Sequence, residues 1–225
     1  MELQTTFQNI NNTLIELKAI LLEWLFFLTK FPFKIKRLMN KLKSIIEKLS
    51  SPKIIAFHFI IFLLISFLMH FIIGPKLIAF TGEMQILDKM ILGYDIDYVN
   101  KFFMLLEEKG RSIYLYQQIA IDMLYPFAYG GFLCFSSAWI LKKRNHHLSN
   151  NGFIICLLPL IGISLDLIEN TSNAILLLKY PNVNSFHVGF SSTMTYLKYL
   201  FIFFSALFLL LLYSKLILNK IVNAR

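Results

Sequence analysis

Four long apolar blocks constrain this chain more than any other feature: Ile54–Ile73, Ile119–Leu141, Phe153–Leu178 and Tyr196–Leu218. Crossing about 30 Å of hydrocarbon takes roughly 20 apolar residues at a helical rise of about 1.5 Å each. Lipid offers no hydrogen-bond partner to the backbone, so a block of this length satisfies its own N–H and C=O groups by becoming a helix. Barrel strands are excluded, because the blocks lack sustained period-two alternation and are about twice the length such a strand needs. Composition agrees: 57% of the 225 residues are hydrophobic, 23 are Phe, and only 16% are charged, against about 25% charged in a soluble domain. The expected fold class is all-α, a four-helix transmembrane bundle over 54–218 preceded by a basic region, 1–53. The first apolar block begins only after some fifty residues and no small-residue cleavage site follows it, so a cleaved signal peptide is not expected.

The distribution of basic residues sets an expected orientation. Residues 1–53 hold nine Lys and Arg, the connection after the second block reads Lys142-Lys143-Arg144, and Lys215, Lys220 and Arg225 follow in the tail. The segment 74–118 is mixed in sign, with five basic and six acidic residues, and Tyr180–Thr193 has no charge. Basic flanks stay on the cytoplasmic side. Both termini and the Lys142 connection are therefore expected in the cytoplasm of a multi-pass cell-membrane protein, with 74–118 and 180–193 outside. The formal charge of +9 traces to these flanks, and a nucleic-acid partner is not expected.

Within 1–53, Ile35, Leu38, Met39, Leu42, Ile45, Ile46 and Leu49 recur in steps of three and four, which is the period of one helical face. Lys and Arg fill the opposite face. A basic amphipathic helix beside a span suits the anionic inner leaflet, each added Lys contributing about 1 kcal/mol; packing on a partner protein or on the bundle's own cytoplasmic end is the alternative. Upstream, Leu14–Leu28 is apolar but carries Glu16, Lys18 and Glu23. These weigh against a fifth span at about 2.5–3.5 kcal/mol for each Asp or Lys at a span's centre, and whether the stretch lies on or crosses the membrane stands open. Pro32 ends it, and Asn11 or Asn12 suits its start. The outer segment 74–118 is too long for a plain loop. It contains a predicted helix capped by Asp97 and closed by Gly110, with Val99, Phe102, Phe103 and Leu106 as its apolar stripe, lying over the outer mouth of the bundle.

The residues that point to chemistry are polar side chains inside the blocks. Asp122, Tyr125, Pro126 and Tyr129 in the second block share one helical face, as do Asp166, Glu169, Asn170 and Asn173 in the third. An intramembrane carboxylate is costly in lipid and turns into the bundle. With His70 near the outer end of the first block and Lys198 near the outer start of the fourth, these groups can meet in one polar pocket in the outer half. Each has a plainer reading: Asp122 as a cap, Lys198 snorkelling to the interface, His70 as an interfacial histidine. Asp166 and Glu169, two acids on one face within an apolar block, resist such a reading. Metal coordination has no support from H-x-x-x-H, H-E-x-x-H or D-x-D spacing, and no metal or other cofactor is expected. No P-loop, G-x-S-x-G or Rossmann fingerprint is present. His146 and His147 sit in a polar connection and read as solvated. Cys134 and Cys156 lie in apolar blocks and read as small buried hydrophobes.

Gly93-Tyr94, Gly110-Arg111, Tyr114, Asp122, Tyr125-Pro126, Tyr129 and the run Asp166–Asn170, which reads DLIEN, resemble the pattern of a family of small bacterial four-span membrane proteins with no assigned activity. The resemblance covers roughly residues 74–215 and leaves out the basic N-terminal region. It implies a four-helix fold in the bacterial inner membrane and no mechanism. Sterol-isomerase-like four-helix membrane domains also build an acidic, His-containing pocket, an analogy of architecture from which no catalytic residue carries over. Two function classes follow. One is binding or processing of a lipid-like or amphipathic molecule in the outer pocket. The other is a non-enzymatic subunit or scaffold whose polar stripes lock helices or bind a partner, a second copy of the chain included. A proton-coupled carrier fits four spans less well unless the chain dimerises. Whether the protein is an enzyme stays open at this level.

Overall fold

The computed structural model describes residues 34–82, 84–145 and 147–223, and is all-helical, with no strand among the described residues. The stretch Leu14–Leu28, Pro32, and Asn11 and Asn12 lie outside these residues. The chain divides into Met1–Ile45 and Ile46–Arg225, and the second unit contains the bundle.

Helix α1 spans residues 34–49, of which those from Ile46 on belong to the second unit. Along its apolar stripe Ile35, Leu38 and Ile45 are exposed, Met39 and Leu42 half-buried, and Ile46 buried. Its last turn is tied down inside the second unit. Lys142 Nζ donates to the Glu47 carbonyl (2.6 Å) and to Ser50 Oγ (3.2 Å), and the Leu148 N–H donates to Glu47 Oε1 (2.8 Å).

Four further helices are long and apolar enough to cross a membrane: α2 (Pro52–Thr81), α4 (Glu107–Lys143), α5 (Asn150–Lys179) and α6 (Ser185–Asn223). All four run beyond the apolar blocks. Helix α2 continues through Gly74-Pro75, because a π turn at Leu68–Ile73 precedes the proline and the Gly74 N–H reaches back five residues to the Met69 carbonyl. A Cβ at Gly74 would stand 3.0 Å from that carbonyl. Helix α4 starts twelve residues before the expected block at Ile119, and α6 starts at Ser185, where Asn184 Oδ1 accepts from the Phe186 N–H (2.8 Å). The uncharged connection expected outside, 180–193, therefore shrinks to residues 180–184. The expected outer segment 74–118 becomes a shorter connection, 82–106, between α2 and α4.

That connection carries a short 3₁₀ turn, Leu87–Lys89, and helix α3, Ile96–Leu105. The cap of α3 is Asp95, not Asp97: Asp95 Oδ1 accepts from the Tyr98 N–H at 2.8 Å, which satisfies one of the free donors of the first turn. Gly110 does not close it either. The corner is turned at Glu107, whose φ of 52° is left-handed. Gly110 lies inside α4, where a Cβ would crowd Leu106 and Phe80 at 3.1 Å. The Arg111 guanidinium donates to the Phe103 carbonyl left free at the end of α3 (2.9 Å). The stripe Val99, Phe102, Phe103 and Leu106 is fully buried against Ile73, Leu77, Tyr114 and Leu176, so α3 packs on the ends of α2 and α5 and the start of α4.

In the bundle α4 is central. It packs along α2, α5 and α6, and α5 packs along α6. The pair Gly130-Gly131 lets α4 approach two neighbours at once, since a Cβ on Gly130 would run into Ile163 of α5 and one on Gly131 into the His58 ring of α2. The segment Pro52–Phe67 of α2 has no buried residue, and Phe57, Ile60, Leu64 and Phe67 are all exposed. A helix apolar all round with its side chains outward suits lipid rather than water.

Candidate functional site

The polar residues of the second, third and fourth apolar blocks converge, and the stripe on α5 divides into two groups. Glu169 and Asn173 turn into the seam with α6. Glu169 is fully buried; its Oε1 accepts from Thr195 (2.7 Å) and Asn173 Nδ2 (3.4 Å), and its Oε2 pairs with Lys198. Asn173 Oδ1 accepts from Ser191 (2.8 Å) and from Tyr94 (3.0 Å), the two hydroxyls lying 3.0 Å apart. Tyr94 lies on the connection between α2 and α4, its N–H donates to Ser192 Oγ (2.9 Å), and burial pushes its phenol up to about 12. The Gly93-Tyr94 turn fits here because Gly93 has φ 92° and leaves no room for a Cβ beside Ser192.

Asp166 and Asn170 turn toward α4. Asp166 Oδ1 accepts from Lys198 Nζ (3.1 Å) and Asn170 Nδ2 (3.2 Å), and Oδ2 accepts from Tyr129 (2.9 Å). The second Asn170 bond has a specific cause. Residue 126 is proline, so the Asp122 carbonyl four residues earlier has no backbone donor. Helix α4 accordingly breaks at Met123-Leu124, and Asn170 Nδ2 donates to that carbonyl at 3.2 Å. The bond links the break in α4 to the acid cluster of α5.

Lys198 lies thirteen residues into α6 and is 4% exposed. It neither starts its helix nor snorkels, and its ammonium is held by Asp166 and Glu169 from below the surface. Asp122, also 4% exposed, sits fifteen residues into α4 and caps nothing.

On the α4 side of this cluster is a cavity of about 370 Å³. Six of the expected residues line it: His70, Asp122, Tyr125, Tyr129, Asp166 and Lys198. Glu169, Asn170 and Asn173 stand behind it. His70 is exposed, in the π turn of α2. The other wall is apolar, with Phe62, Met69, Phe132, Leu133, Ile202 and Ala206, and Phe62 stacks on Tyr125 at 5.6 Å between centroids. Sequence reading missed Asp88, which lines the cavity from the 3₁₀ turn, is 8% exposed and has Oδ1 buried without a hydrogen-bond partner. Burial raises its carboxyl above the ordinary range, with the charges of Lys198 and Lys89 pulling the other way. Its carbonyl accepts from Tyr199, the residue after Lys198 (2.9 Å). Only the acid excess of 74–118 hinted at it, and no periodicity marks a single acid in a short turn.

Helices α2 and α6 flank this cavity, α2 through Phe62, Ser66, Met69 and His70 and α6 through Lys198, Tyr199, Ile202 and Ala206, yet the two helices barely touch each other. The cavity therefore lies between α2 and α6, whose backbones approach each other little. Among the described residues no group of three or more His, Cys, Asp or Glu side chains is placed to hold a metal ion. Cys134 and Cys156 are free and buried. No family model, no curated protein and no solved structure matches the chain.

Proposed function

We propose that this protein binds an amphipathic molecule from the membrane, with its polar head at the acid cluster and its tail along the apolar wall toward the gap between α2 and α6. One observation carries the reading: the same cavity joins buried carboxyl groups at one end to Phe62, Phe132, Ile202 and Ala206 at the other. Its volume of about 370 Å³ falls in the range of small-molecule sites, roughly 300–1,000 Å³, which are mostly apolar with a few convergent polar groups. The distribution of basic residues supports placing both termini in the cytoplasm, the end bearing Asp88 and α3 in the outer half, and α1 on the anionic inner leaflet.

The structural reading has its own support. Glu169, Asn173, Ser191, Thr195 and Lys198 are all buried and bonded within the α5–α6 seam, which is the arrangement of a polar lock. The two readings concern different residues: Glu169 and Asn173 lock helices, while Asp88, Asp122 and Asp166 face the ligand space.

The test is photolabelling of the full chain in neutral maltoside micelles. The probe is a dodecyl glucoside carrying a diazirine midway along its tail. Labelling is expected at Phe62, Phe132, Ile202 or Ala206, to fall when unlabelled dodecyl glucoside is added, and to disappear in Ala206→Trp, which fills the cavity. Labelling spread over the exposed face of α2, without competition and unchanged in Ala206→Trp, would overturn the reading.

A further inference from the structure

The polar end of the cavity has a definite charge character, and it follows from which groups are already committed. Lys198 is a cation of the cavity lining that could otherwise receive an anionic headgroup. It is bound by Asp166 and Glu169 at once. Asp166 in turn has both oxygens occupied, by Lys198 and Asn170 on one and Tyr129 on the other. A buried ammonium held by two carboxylates has little left to offer a phosphate.

Among the groups not committed in this way, two acids stand against one lysine, Lys89. Asp88 presents a buried Oδ1 with no hydrogen-bond partner, and Asp122 lines the cavity beside it, 4% exposed. Unpaired buried carboxyl oxygens are rare in proteins and costly to keep. Two further positive or titratable groups face the same space: half-buried Lys89, next to Asp88, and exposed His70 from α2. Counting Asp88, Asp122, Asp166 and Glu169 against Lys198 and Lys89 leaves an excess of two acids at this end. Aromatic rings adjoin it as well, with Tyr125 and Tyr129 at 5.3 Å between centroids and Tyr199 one residue from Lys198. Carboxylates flanked by aromatic faces are the chemistry that recognises a cationic nitrogen.

Resting on the binding reading above, we propose that the cavity selects amphipathic molecules whose head carries a positively charged nitrogen, an alkylamine or a quaternary ammonium, over neutral or anionic heads of equal tail length. The head sits between Asp88 and Asp122, and the tail passes Ile202 and Ala206 toward the gap between α2 and α6. No bond forms or breaks.

The experiment extends the photolabelling assay and keeps the two proposals separable. The labelled glucoside is displaced by unlabelled dodecyltrimethylammonium, dodecyl glucoside or dodecyl phosphate, each added to neutral micelles at matched mole fraction. The ammonium head is expected to compete at about one-tenth the concentration of the glucoside, the scale of one charge-assisted contact, with the phosphate weakest. In Asp122→Asn the preference is expected to drop to about twofold or less. Asp88→Asn, a substitution on the connection outside the long helices, is expected to act in the same direction. Equal competition by all three heads, or preference for the phosphate, overturns the charge inference and leaves the binding site in place. A preference for ammonium unchanged in both variants overturns the assignment to Asp88 and Asp122. Failure of every head to compete overturns the binding reading itself. The ranking on the native chain decides the charge question even where Asp122→Asn does not fold.

Discussion

The division of the α5 stripe can be tested by neutralising its two acids one at a time. In Glu169→Gln the amide still offers an oxygen to Thr195 and Asn173, but it places an NH₂ group against the Lys198 ammonium, which Glu169 Oε2 now holds. Removing one partner of a buried ion pair costs about 3–5 kcal/mol, because the other charge is left uncompensated. Here Asp166 Oδ1 stays 3.1 Å from the ammonium, so the lower end applies, about 3 kcal/mol. For a chain of this size 1 kcal/mol moves the melting temperature by about 2–4 °C, giving a loss of roughly 6–12 °C. Asp166→Asn is expected to lose no more than about half of that, since Glu169 still neutralises Lys198 and the acid excess around the cavity falls. Lys198→Met in the Glu169→Gln background is expected to recover part of the loss, because it removes the stranded ammonium while Tyr129 and Asn170 continue to bond Asp166. The assay is thermal unfolding in one neutral detergent, followed by helical circular dichroism. A larger loss in Asp166→Asn than in Glu169→Gln, or a double variant no more stable than Glu169→Gln, would refute the division into a lock and a ligand-facing group.

Two more outcomes are expected. The Asp88 carboxyl is raised in the folded chain by burial, against the pull of Lys198 and Lys89 and with a further push from Asp166. Between its ordinary and its raised value the folded state therefore binds more protons than the unfolded state. Its contribution favours the folded state most below the ordinary carboxylate value and declines as pH rises through that window; Asp88→Asn should flatten this part of the stability profile, and an unchanged profile counts against a buried Asp88. Topology is tested by single cysteines in a background where Cys134 and Cys156 are replaced by Ala: Asn182→Cys, between α5 and α6, should react with a membrane-impermeant maleimide added outside intact cells, and His147→Cys, exposed between α4 and α5, should react only after lysis. Reaction of both from outside would remove the proposed orientation.

Much of the architecture was legible because lipid and helix period impose simple rules. Block length marked all four long helices, and the three-and-four spacing of Val99, Phe102, Phe103 and Leu106 marked the buried face of α3. The ends were less legible because helices outrun apolarity. Residues Glu107–Gln118 of α4 are too polar to register as a span, yet they are helical: Gly110, Tyr114 and Gln118, four apart, are buried on one face while Glu107, Glu108 and Ser112 stay exposed. Capping was misassigned by two residues for a related reason: Asp95 and Asp97 are equally good cap residues by type, and the choice between them depends on where the buried stripe of α3 lies against α2.

The site was legible as a list of residues but not as a division of labour. Helical spacing placed Asp166, Glu169, Asn170 and Asn173 on one face, and a face about 100° wide can serve two neighbours. Helix α5 uses it in that way, with Glu169 and Asn173 against α6 and Asp166 and Asn170 against α4. What separates the two groups is the Asp122 carbonyl, stripped of its donor by Pro126 and supplied with one by Asn170. The proline thus forces a break in α4 beside Asp122, and Asn170 satisfies the broken backbone from α5. The Tyr125-Pro126 step and the DLIEN run therefore have to be read together: Asp166 needs Asn170 to stay oriented, and Asn170 has its second bond only because residue 126 is proline.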